Sequence, residues 1–145
     1  MKAFFGTFTN KIDAKGRVSI PAPFRAVLQG RGLTSVALHP SLFEPCLEGS
    51  GMDRFDNLLT GIADGFVTPA PDDASDLIMA DLRDLPMDGE GRIVLPDEFV
   101  AKASLKEQAA FVGRGWKFQI WEPAAFAALR EDKMRRVTAA KGDAR

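Results

Sequence analysis

The sequence contains few of the residues from which catalytic and metal sites are built. It has one cysteine, Cys46, and one histidine, His39. A single cysteine excludes an internal disulfide and a cysteine-rich metal site, and a single histidine leaves little for zinc binding or imidazole catalysis. The acidic residues Asp72, Asp73 and Asp76 lack partner ligands at suitable spacing, so we interpret them as part of a linker. We expect no metal and no cofactor, and we interpret Cys46 and His39 as packing residues.

Catalytic motifs are also missing from the sequence. No nucleophile–base pair and no phosphate-binding loop is visible, and the glycine turn at 113–115 is too short for a dinucleotide fingerprint. We therefore do not expect an enzyme or a small-molecule substrate.

Long hydrophobic runs are absent as well. No stretch approaches the roughly 18 apolar residues of a membrane span, and the N-terminal MKAFFGTF lacks the apolar segment and cleavage site of a signal peptide. These absences predict a cytosolic protein without a membrane partner. With 145 residues, 46% of them hydrophobic, the chain can form one domain or two small halves that bury too little alone. We expect two halves that share a core.

One motif occurs twice in the sequence. The segment DAKGRVSIPAPFR at 13–25 aligns without a gap with DGEGRIVLPDEFV at 88–100. The identical pairs are Asp13/Asp88, Gly16/Gly91, Arg17/Arg92, Pro21/Pro96 and Phe24/Phe99, and the conservative pairs are Val18/Ile93 and Ile20/Leu95. The repeat predicts a duplicated chain, with a first half at 1–66 and a second half at 77–145. Between them VTPAPDDASD, 67–76, has the composition of a linker.

The sequence pattern of each half predicts the same order of elements: strand, turn, strand, short helix, hairpin and closing helix. The expected strands lie at 4–12, 17–20, 34–39 and 42–47 in the first half, and at 79–87, 92–95, 109–113 and 116–121 in the second. The expected helices run from Pro21 to Gln29, from Pro96 to Ala103, over 52–64 and over 123–137. Because exposed strand edges invite pairing, we expect the halves to interleave their hairpins and close one small β-barrel. The barrel would bury Val18, Ile20, Phe24, Ile93, Leu95 and Phe99.

Charges are segregated along the chain, although the formal net charge is only −1. Residues 1–35 carry six Lys or Arg against one acid, and residues 130–145 carry six against three. Residues 44–84 carry ten acids against two arginines. Since a local field can steer a polyanion when the total charge is near zero, a nucleic-acid partner stays open. The alternative is an ordinary solvated surface.

Three segments resemble the MraZ family: FFGTFTNKI with the first motif after it, the second motif, and FVGRGWKFQIWEPAAF. The resemblance covers nearly the whole chain. It implies an α+β, mainly β fold, namely a duplicated AbrB-like swapped-hairpin (double-split) barrel with short flanking helices. It also implies a cytoplasmic, nucleoid-associated transcriptional regulator of the division and cell-wall gene cluster. It further implies ring-like homo-oligomers that bind short direct repeats in promoter DNA.

The resemblance also implies that an Asp-x-x-x-Arg motif faces the DNA. In this sequence the motif is Asp13 with Arg17, and again Asp88 with Arg92. Because strand side chains alternate, Arg17 faces outward when Val18 faces inward. Its guanidinium could then contact a phosphate or the N7 and O6 of guanine. We expect Asp13 to hold the turn and to orient Arg17.

Other residues of the two motifs have predicted supporting roles. Gly16 and Gly91 are expected to form the turns by adopting a positive φ. Lys15 at the turn tip and Arg25 on the following helix are predicted phosphate contacts, with Asn10 and Lys11 nearby. The second motif has Glu90 and Val100 at the positions of Lys15 and Arg25. We therefore expect the first motif to dominate DNA affinity.

Two other interpretations remain open at this point. A single Asp-x-x-Gly-Arg stretch is more often an ordinary turn with an exposed arginine, and the chain could instead form a structural or protein-interaction ring without DNA specificity. The two tryptophans, Trp116 and Trp121, are interpreted as core or interface residues and not as base-stacking platforms. Met52 and Phe55 are expected on the apolar stripe of a helix.

Overall fold

The computed structural model describes residues 3–56 and 72–143 of the chain. The strands in these ranges are β1 Thr7–Lys11, β2 Arg17–Ser19, β3 Ser35–Pro40, β4 Leu47–Ser50, β5 Arg83–Pro86, β6 Arg92–Val94, β7 Gln108–Gly113 and β8 Phe118–Trp121. The α-helices are α1 Ala22–Gly30, α2 Asp73–Asp81, α3 Asp97–Lys102 and α4 Pro123–Asp143, and a 3₁₀ helix covers Met52–Phe55. The fold is α+β with a core built on β-sheet, which confirms the predicted class.

The strands form two antiparallel sheets that combine both halves of the chain. The larger sheet has the order β1-β7-β8-β4-β3-β5, and the smaller one pairs β2 with β6. The register of β1 on β7 joins Thr7 to Val112, and that of β5 on β3 joins Pro86 to Ser35. The first strand of each half therefore lies against the hairpin of the other half. The two halves share one sheet and cannot separate without breaking it.

The main core fills the space between the large sheet, the small sheet and the short helices. Alternation along the strands directs one set of side chains to this side, and the buried set includes Val36, Leu38, Leu47, Phe111, Phe118 and Ile120. At its centre Phe4, Phe24 and Phe118 pack with ring centroids 5.1 to 5.3 Å apart. All six residues that were expected to share a core are buried in it: Val18, Ile20, Phe24, Ile93, Leu95 and Phe99. The predicted common core is confirmed.

Helix α1 holds the small sheet against this core. It starts directly after Pro21, whose φ of −53° suits a helix entry. Its buried residues Phe24, Val27 and Leu28 lie three and four positions apart, so they form one apolar face. A glycine in the left-handed region, Gly32 at φ +72°, follows the end of the helix. The predicted helix agrees with the structure to within one residue at either end.

The region before β5 differs from the prediction. Residues 79–81 were expected to open a strand and residues 73–76 to belong to a linker, yet both lie in α2. The carboxylate of Asp72 accepts a hydrogen bond from the backbone N–H of Ala74 at 3.0 Å, which is the geometry of a helix N-cap. Asp72, which was interpreted as part of a linker, is therefore the N-cap of α2.

The first hairpin and the closing helices also differ from their predicted bounds. Strand β4 begins at Leu47 and not at 42, because residues 41–46 form a loop closed by the Ser41 N–H bond to the Cys46 carbonyl at 2.9 Å. Strand β8 begins at Phe118, so 116 and 117 precede it. Of the helix expected at 52–64, the described part is the 3₁₀ helix, and 57–64 lie outside the described residues. The second closing helix, α4, continues to Asp143, six residues beyond its predicted end.

The predicted closed barrel is not one continuous hydrogen-bonded cylinder. Over the described residues the large sheet is open, with β1 and β5 at its edges, and β2 and β6 pair with each other. A single bridge between Ile12 and Val18 ties the small sheet to β1. The sheet stays open because β2 forms its ladder with β6 along all three of its residues and meets β1 at this one bridge. Among the helices of the described ranges, none is both long and apolar enough to cross a membrane.

Candidate nucleic-acid interface

The first Asp-x-x-x-Arg motif is a turn organised by one carboxylate. Asp13 Oδ1 accepts the backbone N–H of Lys15 at 2.9 Å and that of Arg17 at 2.8 Å. Its Oδ2 accepts Arg17 Nε at 2.7 Å. The backbone N–H of Gly16 donates to the Asp13 carbonyl at 3.0 Å. One side chain thus closes the turn and fixes the direction of the arginine.

The second motif repeats this geometry bond for bond. Asp88 Oδ1 accepts the backbone N–H of Glu90 at 2.9 Å and that of Arg92 at 3.0 Å. Its Oδ2 accepts Arg92 Nε at 2.9 Å, and the Gly91 N–H donates to the Asp88 carbonyl at 2.9 Å. The expectation that the aspartate holds the turn and orients the arginine agrees with both copies.

The two turns are parts of one unit, which we call the arginine ribbon: β2, β6 and the turns at 13–16 and 88–91. In its register Arg17 lies opposite Val94, and Arg92 lies opposite Ser19. Each turn is also bonded to the opposite strand end, by Ile20 N–H to the Gly91 carbonyl and by Leu95 N–H to the Gly16 carbonyl, both at 2.9 Å.

The ribbon has a buried face and an exposed face. Val18 and Ile93 face the core, so the alternation of strand residues places both arginines on the other side with Ser19 and Val94. Val94 is 56% exposed. The structure therefore brings together the two arginines that the sequence predicted as site residues.

Both aspartates are held in the charged form. Backbone hydrogen bonding from Arg17 is the main cause that lowers the pKa of Asp13 below its ordinary value, and the same donor in the second copy, Arg92, lowers the pKa of Asp88. The side-chain bonds of the arginines act in the same direction. The arginine pairs therefore stay intact at neutral pH.

Both turn glycines have the conformation that the motif predicted. Gly16 has φ +78° and Gly91 has φ +76°, in the left-handed region that disfavours a Cβ. A Cβ on Gly16 would have its nearest contact at 3.4 Å, whereas a Cβ on Gly91 would collide with the side chain of Arg25. The two turns are alike in backbone but differ in what covers them.

Arg25 has a definite intramolecular position. It lies on α1, passes over Gly91, and donates from Nη1 to the carbonyl of Ile20. It therefore braces the second turn from the first half of the chain. Its predicted phosphate contact stays a prediction, and Val100 occupies the equivalent place in the second half, where it packs on the main core.

The charges of the two motifs are unequal in the structure as in the sequence. The Arg17 guanidinium bonds only to Asp13 among the described residues, and Lys15 stands exposed at the turn tip. In the second copy Glu90 Oε2 lies 3.6 Å from Arg92 Nη1, in addition to the bond from Asp88. The second arginine is consequently more neutralised than the first.

The neighbouring residues Asn10 and Lys11 lie beside the first turn. Asn10 Nδ2 donates to the Ser19 carbonyl at 2.8 Å, which ties β1 to the end of β2. Lys11 lines a shallow cavity together with Asp13. The structural role of Asn10 was not predicted, because its partner lies nine residues away and no local pattern indicates it.

The tryptophans differ in exposure. Trp121 is buried beside Cys46, as predicted, and its Nε1 donates to Gln119 Oε1 at 2.9 Å. Trp116 is 55% exposed and lies outside the core, and the guanidinium of Arg54 stacks on it at 4.1 Å.

His39 and Cys46 are buried, which confirms their interpretation as packing residues. Within residues 3–56 and 72–143, no three potential metal ligands come together.

Fold and site together define a duplicated α+β protein that presents two aspartate-held arginines on one ribbon. The MraZ protein family matches residues 3–69 and 80–144. The chain belongs to the MraZ family.

Curated relatives match over nearly their full length. The transcriptional regulator MraZ of Rhodospirillum rubrum is 45% identical over 139 residues, which are 93% of this chain and 89% of that protein. The proteins of the same name from Xanthobacter autotrophicus and Gluconobacter oxydans are 43% and 42% identical, over 94% and 90% of this chain and 88% and 82% of their own lengths.

Proposed function

We propose that the protein is a sequence-specific, DNA-binding regulator of transcription that acts in the cytoplasm, at the nucleoid. The observation that carries the proposal is the exposed face of the arginine ribbon, on which Arg17 and Arg92 are each oriented by an aspartate. The relatives named transcriptional regulator MraZ support the same class of function.

The dimensions of the ribbon suit duplex DNA. The major groove admits a two-stranded β-ribbon, and arginine makes the commonest specific contact there, to guanine. Arg17 and Arg92 lie two residue positions apart in the paired register, or about 7 Å along the strands. That separation corresponds to about two base-pair steps of about 3.4 Å. Two guanines separated by one base pair within one site are the expected readout, with Lys15 on a phosphate.

The two motifs contribute unequally in this proposal. Arg17 and Lys15 provide the stronger contact, because Glu90 partly neutralises Arg92. Arg92 contributes a weaker contact or stabilises a subunit interface.

A single ribbon with so few cations binds weakly, so several copies are needed. We infer a ring-like homo-oligomer that places ribbons on short direct repeats in the promoter of the division and cell-wall gene cluster. Linking several such contacts raises avidity by about 10²-fold or more. The exchange of strands between the two halves, β1 onto β7 and β5 onto β3, supports assignment to the AbrB-like swapped-hairpin architecture.

The test compares two arginine variants on DNA. Fragments that the protein retains from its own genome provide repeat-containing probes, and affinity is measured by fluorescence anisotropy. Arg17→Ala should weaken binding about 10- to 100-fold, the value of one good bidentate contact to a base, and more where several subunits bind. Arg135→Ala is the matched control, because Arg135 is an exposed arginine of α4 that pairs with Asp132 on the same helix.

The outcomes separate the candidate functions. Equal affinities of the two variants would refute the assignment of the ribbon as the DNA contact. A chain that forms rings but shows no preference for the repeats over random DNA would favour the structural or protein-interaction ring.

A further inference from the structure

A second cluster of charged and aromatic side chains lies away from the arginine ribbon. It surrounds a cavity of about 170 Å³ lined by Arg31, Asp53, Arg54 and Trp116, which we call the Arg54 pocket. The 3₁₀ helix Met52–Phe55 supplies two of its walls, and the loop before β8 supplies Trp116.

The pocket lies where the end of α1, the 3₁₀ helix and the loop before β8 come together. Its neighbours His39 and Glu48 alternate with the core residues Leu38 and Leu47 along β3 and β4, so they point to the opposite face. The ring of Phe55, next to Arg54, packs edge-on to His39 at 6.5 Å.

Most charges around the pocket are paired with one another. Arg31 Nη1 lies 3.5 Å from Asp53 Oδ2, and Lys117 Nζ lies 2.9 Å from Glu48 Oε2. Gln119 Nε2 also donates to Glu48 Oε2, at 3.2 Å. Among the residues that the structure describes, no carboxylate contacts the remaining cation of the cluster, Arg54.

Arg54 is held in an unusual environment. Its guanidinium carbon lies over two rings, 4.1 Å from the centroid of Trp116 and 5.1 Å from that of Phe55. No N–H of this guanidinium donates to an acceptor among the described residues, and its Nη1 is buried without a partner. Burial lowers the pKa of Arg54. The ring contacts leave the N–H groups of the guanidinium without an acceptor among the described residues.

The same cavity also has an unused acceptor. Asp53 Oδ1 is buried and has no hydrogen-bond partner within residues 3–56 and 72–143, although Oδ2 of the same carboxylate contacts Arg31. Leaving a buried donor and a buried acceptor unpaired is costly, and the cost is highest for charged groups. A cation with an open planar edge is the group that binds carboxylate and phosphate oxygens in pairs.

We propose that the Arg54 pocket binds a small organic oxyanion, a carboxylate or a phosphate ester, that also carries a hydroxyl or ammonium donor. The oxyanion accepts hydrogen bonds from the edge of the Arg54 guanidinium, and the donor group bonds to the Asp53 carboxylate. Trp116 lies over the guanidinium and holds it in place for this contact. The pocket shares no residue with the arginine ribbon, and this proposal is independent of the proposed function.

Isothermal titration calorimetry on the full-length protein tests the proposal. The probes are glycerol 3-phosphate and malate, which carry an oxyanion and a hydroxyl, with glycerol as the uncharged control. At least one of the two anions should bind saturably, and glycerol should not. Arg54→Gln should weaken that binding at least tenfold. Arg54→Lys, which keeps the charge but not the planar edge, should have an intermediate effect and serves as the test if the glutamine variant does not fold.

Controls separate this site from other anion contacts. Arg135→Gln removes an exposed arginine of α4 and should leave anion affinity unchanged. DNA affinity of the Arg54 variants, measured without added anion, should equal that of the parent protein. The proposal is wrong if neither anion binds at millimolar concentration, if binding persists unchanged in the Arg54 variant that folds, or if that variant loses DNA affinity, which would place Arg54 in the nucleic-acid interface.

Discussion

The difference in charge between the two Asp-x-x-x-Arg turns can be removed by a single change, Glu90→Lys. Glu90 stands where the first motif has Lys15, and its carboxylate lies 3.6 Å from Arg92 Nη1. With its aspartate and arginine, the first turn has a formal charge of +1, whereas the second has −1. The substitution makes the second turn equal to the first in charge and removes the competing partner of Arg92.

The expected change in the salt dependence of DNA affinity follows from counterion release. Each phosphate that a protein neutralises steepens the plot of log affinity against log salt by about 0.9. Glu90→Lys should add about one phosphate contact per bound subunit, and the converse change Lys15→Glu should remove about one. Over a fourfold change in salt concentration, one contact corresponds to about a threefold difference in affinity. In an oligomer that binds several repeats these factors multiply.

Fluorescence anisotropy at several salt concentrations measures both slopes. Glu131→Lys makes the same change of net charge on α4, outside the ribbon, and controls for a general electrostatic effect. If Glu90→Lys leaves the slope unchanged, or if Glu131→Lys raises it equally, then the second turn does not face the phosphates and the reasoning fails.

Two further predictions concern stability. Gly91→Ala should lower the free energy of unfolding, measured in urea, by about 1 kcal/mol more than Gly16→Ala does. Both changes place a Cβ at positive φ, but only Gly91→Ala displaces Arg25 and its bond to the Ile20 carbonyl. Equal losses would contradict the bracing role of Arg25. Burial by itself raises the pKa of Glu48, but hydrogen bonds from Lys117 and Gln119 outweigh it and hold the pKa below the ordinary 4.5. Ionised Glu48 therefore stabilises the fold above about pH 4.5, and this contribution is lost as the pH falls through the folded-state pKa. Glu48→Gln should cost more stability at pH 7 than at pH 3, and a loss independent of pH would show that the charge of Glu48 is not what stabilises the fold.

Local chemistry explains why the turns could be predicted. An aspartate that bonds backbone N–H groups two and four residues on, and a glycine at positive φ, are properties of a few neighbouring residues. The alternation that turns Arg17 outward is equally local. For this reason both copies have the geometry that the motif indicates.

Contacts between segments that are distant along the chain could not be predicted from the sequence in this way. The position of Arg25 over Gly91 joins residues of different halves, and the pairing of Arg54 with Trp116 joins the end of one hairpin to the turn of another. The start of α2 was missed for a different reason. Its capping aspartate lies in a Pro- and Asp-rich stretch whose composition also fits a linker, and local propensity is overridden by context in such segments.

The sequence by itself determined the duplication, the two turns, the outward direction of the arginines, the apolar positions of the shared core and the membership of the MraZ family. These follow from spacing and side-chain chemistry, which are visible along the chain. Only the tertiary structure decided which strands pair, that β2 and β6 form a ribbon outside an open six-stranded sheet, and that Arg92 is neutralised more than Arg17. Strand pairing depends on burial and hydrogen bonding between residues far apart in sequence, and those partners exist only once the two halves have packed together.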